Sequence, residues 1–452
     1  MQIALFTLLL PVASAFVTPA AIWGNSCVRA NRDIYCLGGV QQGPTISNKI
    51  YHLDISTSWE TSSPPWTDIS IDGTDNVGLY SAFAGAATLS DHNSILVNGG
   101  AISTNLQDIA NTTAVFDTRT NTWSRPGMSG TSMLPSRYHH SLVSDDQGRT
   151  WIWGGQSVNE YFNTWAVIDT TAWTVSYPNI VGAPAPRVQH TATLVPEGKI
   201  IITGGLTYTR NVTDPTGGNI LNPVSMADIL LFDPSTAKWT NLTAGGNIPA
   251  PRRDHSAVLS HDSSSLVVFG GGDPMSDNSN MNDVFVLNLS SLLWSSPSIS
   301  NMPPPPRKSH QETDERKFNL AAILVKNQML VMFGYDSDGN AFNDLHILDT
   351  SSWTWDTHYR INDDPKSTEP ASSSNDSNKS NVLGGQSALI STALWGSIVA
   401  ATFLVLIRSI FRMDPRSSEQ VLPAALVISQ KPDIEQEDIV HKPNEHEADG
   451  YA

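Results

Sequence analysis

Cysteine is nearly absent, with Cys27 and Cys36 the only two in 452 residues. A disulfide-dense scaffold is thereby excluded, and at most one internal bridge is left. Charge is also scarce, at 15% of residues, where about 25% is usual for a soluble domain. Basic residues are the rarer sign, 26 against 43 acidic, for a net of −17. Nucleic-acid backbones are bound by clustered Lys and Arg, so they are excluded as partners. No HExxH, no GxSxG and no closely spaced Cys/His set occurs. What is plentiful is Gly (31), Pro (28) and Trp (13). That composition suits short strands and turns, not a coiled coil or a helical array.

The two ends read as an address and an anchor. Residues 1–15 carry no charged side chain and close on Ala13-Ser14-Ala15, the small-x-small pattern of a signal peptide that here lacks a basic start. A buried N-terminal strand is the alternative. Residues 388–407 are 20 uncharged residues, enough at 1.5 Å per residue to span a hydrocarbon core of roughly 30 Å. Arg408, Arg412 and Arg416 follow, as positive-inside topology requires. The expectation is a single-pass type I protein of the plasma membrane or a secretory membrane, with its N-terminal part outside or luminal.

Six N-x-Ser/Thr sequons, at Asn111, Asn211, Asn241, Asn288, Asn375 and Asn378, all precede the apolar run. Cys27 and Cys36 do too, flanking VRANRDIY, which reads as a hairpin that a bridge would cross. Closing so short a loop adds about 2–3 kcal/mol; a reactive dithiol is the alternative. Residues 363–387 are Ser/Asn-rich and read as a flexible stalk. The tail, 408–452, holds 5 basic and 9 acidic residues, with Ser417, Ser418 and Ser429 open to kinases. It supports short-motif cytoplasmic partners at most.

Between stalk and leader, over 16–362, the chain repeats. Six apolar runs end in glycine, at Gly38, Gly99, Gly154, Gly204, Gly270 and Gly334. Each is followed by an apolar segment closed by Asp54, Asp117, Asp169, Asp233, Asn288 or Asp349. A tryptophan comes next: Trp59, Trp123, Trp173, Trp239, Trp294 and Trp353. With the apolar stretch before each glycine run, every unit reads as four antiparallel strands. The Asp or Asn would bond the backbone of its own turn, and the Trp on strand four would pack between sheets. One four-stranded sheet cannot bury both faces, but a ring of sheets can.

This order of glycine pair, apolar strand and aromatic outer strand resembles kelch repeats, over about residues 20–362. The resemblance implies an all-β, six-bladed β-propeller. The last unit departs from the pattern with Gly334-Tyr335 in place of a pair.

In a four-stranded meander, loops 1–2 and 3–4 share one end and loops 2–3 and 4–1 the other. Excess length falls in the second set, as at 206–227 and 300–317. Long loops on one face of a rigid scaffold are the usual place for recognition. On that face Arg137, Arg187, Arg252 and Arg307 follow prolines, each with a histidine three residues on: His140, His190, His255 and His310. Arg316 is the alternative arginine in unit six. Two readings stand. The arginines ring the channel mouth and meet an acidic group, or each braces a neighbouring blade while the histidine caps a turn. Glycans at Asn111 and Asn211 would shield units two and four on this face, leaving units three, five and six.

Kelch-type propellers also occur in galactose-oxidase-like copper enzymes, so the resemblance raises an enzymatic alternative. It would need His and Tyr ligands and a free cysteine cross-linked to a tyrosine. Here both cysteines are assigned to one disulfide, and adjacent His139 and His140 point to opposite faces of a strand. The expectation is a non-catalytic ectodomain without cofactor or metal, binding a protein or glycan through the long-loop face. A carbohydrate-active extracellular enzyme is the alternative.

Overall fold

The computed structural model describes residues 16–43, 45–71, 81–110, 112–130, 134–210, 219–276, 279–308 and 321–361. The expected leader, stalk, apolar run and tail lie outside the described residues, as do Asn111, Asn211, Asn375, Asn378, His310 and Arg316. Among the described residues no helix is long and apolar enough to cross a membrane.

Blade 4 shows how a unit forms. Its strands Thr191–Leu194, Ile200–Thr203, Asp228–Asp233 and Lys238–Thr243 pair in chain order, all antiparallel. The second strand is buried throughout, so it reads as a continuous apolar run instead of an alternation. The turn into the outer strand is held by Asp233, whose Oδ1 accepts the Ser235 N–H at 2.9 Å. Asp54, Asp117, Asp169, Asn288 and Asp349 each accept an N–H two residues on in the same way. The meander recurs at 26–68, 85–124, 138–176, 256–295 and 321–356.

The innermost strands of consecutive blades lie side by side around a ring, and that of blade 6 returns against that of blade 1. Six blades therefore close a propeller. Its core is divided among the seams. Trp151, Trp153 and Trp165 of blade 3 pack against Ile200 and Phe232 of blade 4. Ile34, Tyr51 and Leu53 of blade 1 meet Ile323, Leu330 and Met332 of blade 6. Truncating such a buried aromatic costs about 3–5 kcal/mol.

Among the described residues the four strands of each blade come from one continuous stretch of chain. The N-terminal strand Ile22–Trp23 pairs with Val40–Gln41, and its Ile22 N–H bonds the Phe342 carbonyl of blade 6 at 3.2 Å. At the other end His358–Tyr359 pairs with Trp59–Glu60, and Tyr359 stacks on Trp59 at 4.9 Å. Both ends thus strap the seam between blades 6 and 1. Elsewhere linkers hook onto the outer strand of the next blade in parallel, Ser129–Gly130 on blade 3 and Gly245–Gly246 on blade 5. Such hooks cover strand edges that would otherwise be unpaired.

Two details differ from the sequence reading. The residue opposite the third strand's penultimate position stands six beyond the closing Asp or Asn: Trp123, Val175, Trp239, Trp294 and Trp355. In blade 1 an insertion delays it to Trp66. Trp173 and Trp353 lie instead in the turn with φ of 52° and 54°, and Trp59 belongs to the strap. The last glycine also shifts. Phe333 (φ 60°) and Gly334 (φ 94°) together occupy the left-handed pair that Gly270 and Gly271 make in blade 5. A pair is present, with Phe in its first place.

Candidate binding face

The seams are built from backbone. The second glycine of a pair donates its N–H to the carbonyl that leads into the next blade: Gly100 to Arg137 at 2.9 Å, Gly205 to Arg252 at 2.9 Å, Gly271 to Arg307 at 3.1 Å. Gly39 does so to Ser81 and Gly334 to Ile22, at 3.1 and 3.2 Å. Side chains do not decide this bond. Space does: a Cβ on Gly99 would come within 2.2 Å of the Arg137 carbonyl oxygen.

The arginines expected at the channel mouth are buried, Arg137 at 1% exposure, Arg187 at 5%, and Arg252 and Arg307 at 0%. The guanidinium groups of Arg137, Arg252 and Arg307 turn back into their own blades. Nη1 donates to the carbonyl of Gly154, Gly270 or Phe333 from Arg137, Arg252 and Arg307, at 3.2, 3.0 and 3.0 Å. Arg252 grips Asp283 with two bonds of 2.7 and 3.1 Å, and Arg307 grips Asp344 with two of 2.6 and 2.9 Å. Burial pushes the Asp344 carboxyl up, but the hydrogen bonds from Arg307 and His346 outweigh it and hold the group well below the usual range.

Arg137 lies 4.2 Å from the Phe162 ring centroid, yet Thr164 stands where blades 5 and 6 place the aspartate. Its Nε and Nη2 are buried without a partner. Burial lowers Arg137 and Arg187 to about 10, so both stay charged at neutral pH. Burial withdraws these four arginines from the expected ligand contact at the channel mouth, and Arg137, Arg252 and Arg307 instead brace their own blades. Asp283, Asp344 and Asp228 were missed. Their signal was present, since each stands five residues before the Asp or Asn that closes its strand.

Two residues past Arg137, Arg187 and Arg252, and past Ser81 at the same place in blade 2, the backbone turns left-handed: His139, Gln189, Asp254 and Phe83, at φ 58°, 59°, 54° and 67°. Their amides bond from blade to blade. Phe83 donates to Gly24, His139 to Phe83, Gln189 to His139 and Asp254 to Gln189, at 2.7, 3.3, 3.4 and 3.1 Å. Their side chains are buried, and Gln189 Nε2 donates to Asp254 Oδ2 at 2.8 Å. No common residue type marks this belt, so sequence reading could not find it.

Beneath it runs an axial cavity of about 190 Å³, bordered by His140, His190 and His255 and by small residues such as Ser26, Gly85, Ala192 and Ala257. Each histidine packs over the glycine of the preceding blade. Burial, with Arg137 and Arg252 nearby, lowers His140 and His255 to about 3, and His190 falls well below its usual value. The imidazoles are neutral at physiological pH, and no carboxylate borders the cavity among the described residues.

The long-loop face differs in kind. Ile102, Val158, Ile220 and Met275 stand exposed on the 2–3 loops of blades 2 to 5, and Met128, Val181, Ile248 and Met302 on the linkers that cross the same face. A groove of about 500 Å³ between blades 2 and 3 adds Asn98, Thr113, Arg125 and Leu134. Of the sequons within the described residues, Asn241 is exposed on the outer strand of blade 4. Asn288 closes the third strand of blade 5 at the tight-turn end, its Oδ1 engaged by Ser290 and Ser291. The disulfide forms as expected between directly opposed Cys27 and Cys36, Cα atoms 4.1 Å apart.

A closed ring of six antiparallel meanders, joined at left-handed glycine pairs, defines a kelch-type propeller. The comparison with known families agrees. Residues 84–216 and 215–395 match the family described as the KLHDC2/KLHL20/DRC7 Kelch-repeats domain, and the chain belongs to the kelch-repeat family. It is 28% identical over 274 residues to Acyl-CoA-binding domain-containing protein 4 of Arabidopsis thaliana, covering 59% of this chain and 37% of that one. To Host cell factor of Drosophila melanogaster it is 26% identical over 267 residues, 54% of this chain and 16% of the other. To Rab9 effector protein with kelch motifs of Rattus norvegicus it is 28% identical over 181 residues, 38% and 41%. The chain spans less than half the length of each of these relatives.

Proposed function

We propose that this is a non-catalytic, membrane-anchored kelch propeller that binds a protein ligand through its long-loop face, on the outside of the cell or in a secretory lumen. The observation that carries the reading is the gathering of eight of the eleven exposed large apolar residues among the described ones on the 2–3 loops and blade-to-blade linkers. Exposed apolar surface on a rigid scaffold marks a contact site. The axial cavity offers neutral imidazoles and small side chains, a poor basis for acid–base or nucleophilic chemistry. Both cysteines are joined to each other, leaving no thiol for a copper-radical cofactor. The anchor and glycan decoration rest on the apolar run 388–407 and the sequons.

The test places a photo-crosslinking residue in the full-length protein at Val158 or Met275, and separately at Asp262 in a tight turn of blade 5. Discrete protein adducts from the first two positions alone are expected. Adducts from Asp262 alone would move recognition to the other face, and glycan adducts would replace the protein ligand. Glycosidase-resistant mass, or release by alkaline carbonate, would remove the membrane-glycoprotein part.

A further inference from the structure

We infer that the blade 5–6 sector of the long-loop face receives a basic segment of a partner protein that also carries apolar side chains. The inference rests on the face proposed above and adds the chemistry of its occupant. Two methionines stand out there, Met275 at 69% exposure and Met302 at 86%. Methionine is flexible and polarizable, and it suits surfaces that adapt to varied apolar side chains.

The methionines are mounted on a fixed platform. Asn282 Nδ2 donates to the Pro304 carbonyl at 3.1 Å, tying the linker that bears Met302 to the third strand of blade 5, where the 2–3 loop ends. Asn280 Nδ2 donates to the Tyr335 carbonyl at 3.1 Å, tying that loop to blade 6. Gln42 then holds the blade 6 loop to blade 1, donating to Gly339 and accepting from Ala341. A platform linked across three blades loses little freedom when it is covered.

Charge selects the occupant. Asp273, Asp336 and Asp338 line these two loops, and the cations on their flanks, Arg252, Arg253, Arg307 and Lys308, are all buried: Arg252 and Arg307 are gripped by Asp283 and Asp344, and Arg253 Nε donates to the Asp273 carbonyl at 3.2 Å. Asp273 and Asp336 are held in place by accepting the N–H groups of Met275 and Asn340. Asp338 is exposed at the loop tip. Fixed negative charge beside exposed methionine favours Lys or Arg next to Leu, Phe or Met, and repels an acidic peptide.

The experiment measures fluorescence anisotropy of two synthetic peptides of equal length, one of Lys and Leu, the other of Glu and Leu, against the full-length protein. Binding of the Lys/Leu peptide alone is expected, weakened about tenfold by Met275→Ser/Met302→Ser and about threefold by Asp338→Lys. Asp262→Lys, on the opposite face, should leave it unchanged. Equal loss in Asp262→Lys, or no loss in the sector variants, would show adsorption to a generally acidic protein and overturn the inference. Binding of the Glu/Leu peptide, lost with the methionines, would overturn the charge argument while leaving the face intact. If neither peptide binds, the inference falls, and the crosslinking pattern at Val158 and Met275 still decides the face.

Discussion

The ring has two kinds of seam. Where blades 3, 4 and 5 meet the blade before them, the lead-in carries a buried Arg and a buried His: Arg137 and His140, Arg187 and His190, Arg252 and His255. Where blades 1 and 2 do so, the same places hold Ile22 and Asn25, and Ser81 and Ala84. The glycine-to-carbonyl bond is nevertheless made in both kinds. Backbone geometry sets the seam, and side chains decide what else it responds to. The first kind adds buried cations and imidazoles. The second adds a disulfide and the Trp59–Tyr359 strap.

Acid should separate the two kinds most. Burial first, and then Arg137 beside His140, Arg252 beside His255 and Arg187 with both other histidines beside His190, disfavour protonation of all three. Each folded-state pKa lies below the unfolded value. The unfolded chain therefore takes up the extra protons below about pH 6.5, and stability falls as pH falls, by about 2 kcal/mol at pH 5 for each of His140 and His255, with His190 acting in the same direction. Urea denaturation at pH 7 and pH 5 measures this. His140→Ala, which copies Ala84, should reduce the loss between pH 7 and pH 5 by about 2 kcal/mol; an unchanged loss would refute the account.

The next effect is Asp344→Ala. It leaves Arg307 buried and ungripped, and because Asp344 is itself 35% exposed the loss is discounted to about 2–3 kcal/mol. Thr164→Ala, at the matching place in blade 3, should cost under about 0.5 kcal/mol. Similar midpoint shifts for the two would deny that the braces differ. Smaller still, Cys27→Ser/Cys36→Ser should lower stability by about 2 kcal/mol, with faster amide exchange confined to blades 1 and 2. The smallest change is a gain. Thr164→Asp gives Arg137 the carboxylate it lacks and should add about 1 kcal/mol; a loss would mean the pocket cannot admit it.

Much of the fold was legible because repeats expose local rules. Glycine runs, closing Asp or Asn residues and alternating apolar segments each report strand ends within a few residues, and the Cys27–Cys36 pairing followed from one hairpin. Trp173 and Trp353 misled because a turn of six residues leaves a tryptophan two positions early, in a left-handed site that also accepts Asn121, Ala237 and Leu292, and Trp59 misled because an insertion in blade 1 gives it to the strap. The arginines were visible, but their direction was not. Whether a guanidinium faces a channel or an aspartate some 31 to 37 residues further on is a matter of blade packing.

By itself the sequence determined the number of blades, the order of strands, the disulfide and the face that carries the long loops. All of these depend on periodicity and short-range turns, which are written in neighbouring residues. Only the tertiary structure decided that the arginines are buried, that Phe333 stands in a glycine's place and that both described ends strap one seam. It also decided that left-handed residues of four different types form a hydrogen-bonded belt. Those outcomes depend on contacts between blades, where backbone carbonyls and packing space set the terms and side-chain identity has little say.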